Sequence, residues 1–317
     1  LNLHFYYTYI IFFFKFIFVL CYNLLNLSIF IMKKIKWLVQ DVGKQSMLID
    51  NFSTLKSINA NFQSFGLIQG KNIVSNLEEI LSDLDECYII RGGTKIVSLL
   101  DSSSHLSSLS LELSPFQLQF ADLFFQKLRN SIFYDSQKFD QAFYSSLDLP
   151  LLNKDAFFLP ISSNLLTFFD IPYFIKPSKD LKNFIPGILQ PGQNVQNFVE
   201  NSQYSLDYIH ENLLVSPVKN ISQEFRFFII DKTVITGSQY KYLDKVVYSS
   251  VIPHHVWQIA KEYALLYQPH SIFTMDLAIT DSGVYIVEYN CWNGSGLYHC
   301  DKPLLFSEVQ NFIHYHS

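Results

Sequence analysis

Residues 287–298 read VEYNCWNGSGLY, an apolar run that ends on an acid, an aromatic residue and an amide before it breaks into glycines. In a β-strand, Glu288 and Asn290 would project from the same face, because successive side chains alternate between the two faces. A carboxylate and a carboxamide buried there are costly unless both are paired. The stretch therefore predicts a strand whose end holds a polar ligand between these two side chains.

The strand before this one supplies a second carboxylate. Two apolar runs, residues 272–280 and 284–290, predict a β-hairpin with a three-residue loop that ends in glycine. In that register Asp276 lies opposite Glu288, and two facing carboxylates repel each other unless a cation or a proton lies between them. An acidic rim on a solvated hairpin would explain the two acids alone. The nearby Asn290 favours an Mg²⁺ site made of three hard oxygen donors.

A lysine on a third predicted strand is a candidate partner for phosphate. The run Tyr173–Pro177 reads YFIKP, a strand that its proline ends, and it carries Lys176 among apolar neighbours. Phosphate is a natural partner for an ammonium in that setting, and Lys179 or Lys182 on the following loop could add a second contact. The alternative is an edge lysine that extends its ammonium into water.

An arginine lies on a fourth predicted strand. A strand that starts at Glu224 is followed by a two-residue turn and a returning strand, so that Arg226 pairs with Gly237 and Glu224 with Gln239. The missing side chain of Gly237 would leave open space beside the guanidinium, where a triphosphate fits. The alternative is a surface Glu–Arg ion pair, worth under about 1 kcal/mol.

The remaining segments predict a mixed α and β chain. The run 213–218 contains a proline, which indicates an edge strand or a crossover. The turn Arg91-Gly92-Gly93 stands where α/β folds bind ligands, and a turn that needs glycine for its backbone is the equal alternative. The other predicted elements are strands at 35–39 and 87–90 and helices at 116–128 and 253–267.

Composition excludes some classes of partner. The 317 residues are 49% hydrophobic and 16% charged, with a net charge of -5, so the chain offers no basic surface for phosphate backbones and no nucleic-acid partner is expected. Its four cysteines form no Cys-x-x-Cys pair. This usage favours a reducing, cytoplasmic location over a disulfide framework.

The first thirty-one residues form a separate problem. They are almost wholly apolar and aromatic, and they are long enough to span a bilayer. Met32 follows directly and opens a lysine-rich start that runs into a strand, which favours translation from upstream of the natural start over a membrane anchor. A membrane partner is therefore not expected unless residues 1–31 are genuine.

The order of these motifs resembles the ATP-grasp superfamily, and most closely its small ATP-grasp domain proteins of no assigned substrate. The resemblance covers roughly residues 165–300 and more weakly residues 32–110. It implies an α+β fold in which two α+β subdomains grip ATP, at residues 116–317, preceded by a small α/β domain at residues 32–115. The motifs that carry it are Ile175-Lys176-Pro177, Leu214-Val215-Ser216, Glu224-Phe225-Arg226, Gly237-Ser238-Gln239-Tyr240, Met275-Asp276, Glu288-Tyr289-Asn290 and Ser295-Gly296-Leu297-Tyr298.

The resemblance also implies a role for each site residue. The loop over the phosphates is usually rich in glycine, whereas residues 178–186 contain none, so the choice between Lys179 and Lys182 stays open. The implied roles are Lys176 at the adenine or α-phosphate side, Lys182 or Lys179 over the phosphates, Val215, Ser216 and Val218 as the hinge beside adenine, Glu224 near the ribose or the hinge, Arg226 at the γ-phosphate, and Asp276, Glu288 and Asn290 as Mg²⁺ ligands.

The function that the resemblance implies is an ATP- and Mg²⁺-dependent ligase. Such an enzyme activates a carboxylate of a small molecule or peptide as an acyl phosphate, which an amine or a similar nucleophile then attacks. No protein nucleophile is needed, because catalysis rests on positioning and charge neutralisation. The alternative is a non-catalytic ATP-binding module or sensor.

Overall fold

Three β-sheets organise the described part of the chain. The computed structural model describes residues 34–41, 45–68, 72–74, 87–92, 130–160, 170–179, 184–202 and 212–316. The apolar segment 1–31, the predicted helix at 116–128 and Lys182 lie outside these residues. Within them, no helix is both long enough and apolar enough to cross a membrane.

The first sheet belongs to a small α/β unit near the start of the chain. Its central strand pairs in parallel with both neighbours, and the strands expected at 35–39 and 87–90 are confirmed. The strand order is β3-β2-β1-β4. The elements are β1 (Ile35–Asp41), α1 (Gln45–Ser57), β2 (Asn61–Ile68), β3 (Asn72–Val74) and β4 (Cys87–Arg91).

The second sheet carries the predicted lysine strand. Its order is β5-β8-β6-β7, so β8 lies between two neighbours, and the expected edge strand or crossover at 213–218 is wrong. Pro217 is the last residue of β8, where the ladder loses little from its missing N–H. The elements are α2 (Gln141–Tyr144), β5 (Phe157–Pro160), β6 (Tyr173–Pro177), β7 (Gly187–Leu189), α3 (Val195–Ser202) and β8 (Asn212–Pro217).

The third sheet is antiparallel and has the order β11-β10-β9-β12-β13. The helix expected at 253–267 is present but ends earlier, at Ala264. The elements are β9 (Gln223–Ile230), β10 (Thr233–Tyr242), β11 (Lys245–Ser249), α4 (His254–Ala264), β12 (Ile272–Thr280), β13 (Gly283–Cys291), a 3₁₀ turn (Trp292–Gly294) and α5 (Lys302–His316). The α+β class expected from the sequence is therefore confirmed.

The predicted register of the β9–β10 hairpin is wrong. The two-residue turn is present, with positive φ at both central residues as this hairpin type requires. However, β10 carries two bulges, so Arg226 pairs with Ser238 and Glu224 with Lys241. Gly237 stands opposite Phe227 instead, and a Cβ atom built there would lie 2.8 Å from the Phe227 ring. The space beside Gly237 is therefore filled by the core and cannot hold a triphosphate.

The β12–β13 hairpin reaches its expected pairing by a different route. Its turn has two residues, since Thr280 pairs with Gly283, and not the three that the sequence predicts. A register shift between Asp276 and Leu277 then restores the count, and Asp276 pairs with Glu288 as expected. A one-residue bulge therefore compensates for the shorter turn.

The two faces of the third sheet have different roles. One face is wholly apolar and packs beneath α4, with Phe225, Phe227 and Met275 at its centre. The other face is apolar at one end only, where Phe228 packs with Phe306 of α5. Strand alternation puts polar side chains on the remaining part of that face, so the fold leaves a polar strip beside a packed core.

Candidate functional site

The polar strip crosses four neighbouring strands of the third sheet. Asp276 pairs with Glu288 on one side and with Arg226 on the other, and Arg226 pairs in turn with Ser238. Cross-strand partners project from the same face, so these four side chains form one row. The predicted acids and the predicted arginine are therefore adjacent, although they are far apart in the sequence.

Arg226 and Asp276 form a buried, two-pronged ion pair. Arg226 Nε donates to Asp276 Oδ1 at 2.8 Å and Nη2 donates to Oδ2 at 2.7 Å. The two residues are 5% and 1% exposed. Burial raises the pKa of the Asp276 carboxyl while Arg226 opposes that rise, and the carboxylate in turn holds the pKa of the guanidinium well above its ordinary value. Asp276 is thus the counterion of Arg226 when no ligand is bound.

The amide of Asn290 joins this pair, as the opening stretch predicts. Its Nδ2 donates to Asp276 Oδ2 at 3.3 Å, and its backbone carbonyl accepts from Thr274 Oγ1 at 3.3 Å. Glu288 lies close enough to raise the pKa of Asp276. The two acids and the amide are therefore brought together on one face.

A second ion pair links the second and third sheets. Lys176 on β6 donates from Nζ to Glu288 Oε2 on β13. The lysine side chain is 11% exposed and the glutamate side chain 27%, so the pair lies at the edge of a cleft and not in open water. The alternative of a solvated edge lysine is therefore wrong, because Lys176 reaches across to an acid of the other sheet.

Glu224 occupies the other side of Arg226. Its two oxygens accept from Tyr240 Oη at 2.7 Å and from Lys241 Nζ at 2.8 Å. The surface Glu–Arg pair considered above does not form, because both residues are buried and each has another partner. Three carboxylates and three cations are thus paired along the strip, which leaves it electrically balanced without a ligand.

The donor set suits a divalent cation bound together with phosphate. Asp276 and Glu288 offer carboxylate oxygens and Asn290 an amide oxygen, which are the ligands that Mg²⁺ prefers. The described residues hold no cluster of three His, Cys, Asp or Glu side chains, because the third donor here is an amide. The cations that pair with the two acids are an arginine and a lysine, the side chains that bind phosphate. An Mg²⁺–triphosphate complex matches both halves of this arrangement.

The other predicted nucleotide residues are more scattered. Val215 is fully buried in the core of the second sheet, so only its backbone can face a ligand. Ser216 donates to Asn153 Oδ1 at 3.1 Å, while Val218 is 45% exposed just after β8. Lys179 is half-buried after β6. Their roles stay predictions.

Two further polar residues near Lys176 escape sequence analysis. Gln141 is 0% exposed and Ser178 is 3% exposed. The Gln141 backbone N–H donates to the Ser178 carbonyl at 2.9 Å, yet neither side chain has a hydrogen-bond partner among the described residues. Unpaired buried polar groups are rare. No pattern around Gln141 distinguishes it from an ordinary helical residue in the sequence.

The turn at Arg91 has a structural role in place of a ligand role. Arg91 is 3% exposed, its Nη2 donates to the Ser295 carbonyl at 2.8 Å, and its Nη1 donates to the Trp292 carbonyl. The fully buried Asn293 donates to the carbonyls of Ile90 and Ser131 at 2.7 and 3.1 Å. These contacts fasten the loop after β13 to the end of β4, so Arg91 is not available to a substrate.

Comparison with known proteins gives the fold its family. Residues 166–306 match a family model described as an ATP-grasp domain, the second family of its clade. This segment contains Lys176, Arg226 and all three predicted metal ligands. The chain is a member of the ATP-grasp superfamily. The expected ATP-grasp fold is confirmed, with the polar strip inside the matched ATP-grasp domain.

Solved structures of ATP-grasp enzymes resemble the chain at low identity. D-alanine–D-alanine ligase from Bacillus anthracis is 13% identical with a TM-score of 0.49, over 89% of this chain and 93% of that one. The ATP-grasp ligase PsnB, complexed with the precursor peptide PsnA2 and AMPPNP, is 10% identical with a TM-score of 0.47, over 89% of this chain and 98% of that one. No curated protein matches the sequence.

Proposed function

We propose that the chain is an ATP- and Mg²⁺-dependent ligase that activates a carboxylate as an acyl phosphate for attack by an amine or a similar nucleophile. The observation that carries this proposal is the pair of ion pairs, Arg226–Asp276 and Lys176–Glu288. Each joins a phosphate-binding cation to an Mg²⁺-binding acid. A strip of this composition suits phosphoryl transfer, in which the protein positions groups and neutralises charge.

In this proposal the nucleotide exchanges partners with the two ion pairs. Asp276, Glu288 and Asn290 hold Mg²⁺, which would supply charge neutralisation between the β- and γ-phosphates. Lys176 and Arg226 turn from their acids to the phosphate oxygens. Val215, Ser216 and Val218 lie beside adenine and Glu224 near the ribose, with Lys179 or Lys182 over the phosphates.

The reaction then proceeds in two steps. The bond between the γ-phosphorus and the β,γ-bridging oxygen breaks as a carboxylate oxygen bonds to that phosphorus, and ADP leaves. The amine nitrogen next attacks the acyl carbon, inorganic phosphate leaves with the bonding electrons, and the nitrogen loses a proton. Arg226 neutralises charge on the transferred group, a contribution worth several kcal/mol in such sites.

The substrates are a small-molecule or peptide carboxylate and an amine. The free thiols of Cys87, Cys291 and Cys300 suit the reducing, cytoplasmic location that we propose. The second candidate is a non-catalytic ATP-binding module or sensor, which would bind Mg²⁺–ATP but release ADP no faster with any acid and amine. The complete pairing of acids and cations along the strip favours the ligase.

Release of ADP tests the proposal. The full chain is incubated with Mg²⁺–ATP and a panel of carboxylic acids, with and without amines, and compared with a Glu288→Gln variant. We expect acid-dependent ADP release that falls by at least about 100-fold in Glu288→Gln, because that variant loses a charged metal ligand and the partner of Lys176. A variant that turns over ATP at the wild-type rate would refute the metal site. Binding of ATP with no acid-dependent release would favour the sensor.

A further inference from the structure

Three tyrosine rings stack beside the guanidinium of Arg226. The Tyr298 ring stacks on Tyr240, with 5.1 Å between centroids and 23° between planes, and on Tyr248, with 5.2 Å and 21°. The Arg226 guanidinium carbon lies 5.2 Å from the centre of the Tyr298 ring and 5.8 Å from that of Tyr240. We name Tyr240, Tyr298 and Tyr248 the tyrosine stack.

The tyrosine stack lies on the side of Arg226 away from Lys176. Lys176 contacts β13, whereas Tyr240 and Tyr248 belong to β10 and β11 at the opposite edge of the sheet. If Lys176 marks the nucleotide end of the strip, the stack marks the end at which the acid substrate receives phosphate. This placement rests on the proposed function.

The inner part of the stack is held firmly. Tyr240 donates its hydroxyl to Glu224. Tyr298 has a φ of 49°, a conformation that is costly for a bulky residue, and its ring packs 3.2 Å from where a Cβ of Gly296 would lie. Burial raises the pKa of both hydroxyls, so both rings stay uncharged near neutral pH. Chain strain and two anchors thus present a rigid aromatic surface.

The outer end of the stack faces solvent. Tyr248 is 49% exposed, and among the described residues its other ring neighbour is His299, at 5.8 Å and a tilt of 52°. Val246, two residues earlier on β11, shares its face and is 70% exposed. A stack that ends on a half-exposed ring with an apolar neighbour suits a further planar apolar group.

The charges near the stack exclude a cation and favour an acid. Arg226 lies against the inner two rings, and Lys241 is a second cation near them, paired with Glu224. A cationic group would be repelled by Arg226, whereas a carboxylate would be attracted to it. The ligand that satisfies both ends is an acid with a planar ring.

We propose that the tyrosine stack is a specificity site, which binds the aromatic ring of a carboxylic acid substrate against Tyr248 while the carboxylate of that substrate approaches Arg226. The ring extends the stack by one member, and the acid end lies where phosphate is transferred. The substrate class is therefore aromatic carboxylates, including peptides with an aromatic residue near the reacting acid.

Ligand-observed NMR with a matched panel tests the proposal. Aromatic carboxylates are each paired with the saturated-ring analogue and added to the full chain loaded with Mg²⁺ and AMPPNP, so that no turnover is needed. We expect the aromatic members to bind roughly two- to ten-fold more tightly than their analogues. Tyr248→Leu should remove that preference and Tyr248→Phe should keep it.

A control on the same hairpin separates the stack from general apolar exposure. Tyr242 is 48% exposed but stands outside the stack, so Tyr242→Leu should leave the aromatic preference intact. No aromatic preference in any pair, or a preference that survives Tyr248→Leu, would overturn the proposal. Binding of Mg²⁺–AMPPNP is measured first, because its absence would instead refute the nucleotide site on which the ligase rests.

Discussion

At the scale of single residues, the Arg226–Asp276 pair governs the site before any ligand binds. Both charges are almost fully removed from water, so each depends on the other for solvation. Opposite charges on neighbouring strands are not visible as partners in a sequence, because 50 positions separate them. Sequence analysis therefore found the residues and their roles in a family pattern, but it missed the contact that joins them.

Breaking this pair should destabilise the protein. In Arg226→Met, Asp276 stays buried without its counterion, and we expect the free energy of unfolding to fall by about 3–5 kcal/mol. Urea unfolding measures the change, and Arg226→Met combined with Asp276→Leu should recover much of it. Lys154→Met, which removes an exposed ion pair with Asp148, is the control and should change little. A double variant as unstable as Arg226→Met would contradict this account.

At the scale of elements, bulges decide which side chains meet. Alternating apolar residues predicted β9, β10, β12 and β13 correctly, because strand periodicity is written in the local sequence. The bulges of β10 are not, since an extra residue is accommodated by packing against Phe227 and Ile252 and not by any local turn signal. The pairing of Asp276 with Glu288 was predicted correctly only because a bulge offset a turn that is one residue shorter.

Gly237 is the element-scale position most sensitive to substitution. A Cβ there would meet the Phe227 ring at 2.8 Å, Ile252 at 2.9 Å and the Arg226 carbonyl at 3.0 Å. We expect Gly237→Ala to lower the free energy of unfolding by about 1–3 kcal/mol through overpacking. Chemical denaturation measures it, with Thr233→Ala at the exposed start of β10 as control. A neutral Gly237→Ala would show that open space does exist beside the strand.

At the scale of the whole molecule, the loop after β13 fastens the first sheet to the third. Arg91 and Asn293 make this junction through carbonyl groups, which a sequence cannot identify as partners. Burial lowers the pKa of Arg91 to about 10, although nearby Cys300 and Cys291 oppose this shift. The junction explains why a glycine-rich turn that resembles a ligand loop in the sequence is part of the core.

The same buried region should make stability fall at high pH. Burial raises the pKa of the Cys300 thiol to about 12, from about 9 in an exposed chain. Between these values the folded state keeps a proton that the unfolded state releases, so the free energy of unfolding falls as pH rises, by up to about 1.4 kcal/mol per pH unit. Denaturant unfolding at pH 8 to 11 measures the slope, which Cys300→Ser should make shallower. Equal slopes would contradict the burial of this thiol.

The central claim is that one divalent cation joins the three oxygen donors of the third sheet to a triphosphate. The direct measurement is a crystal structure of the full chain with AMPPNP and Mn²⁺, in which anomalous scattering locates the metal. We predict one peak within bonding distance of Asp276, Glu288 and Asn290, with Lys176 and Arg226 turned to phosphate oxygens. A metal bound elsewhere, or AMPPNP bound with the Arg226–Asp276 and Lys176–Glu288 pairs intact, would contradict it.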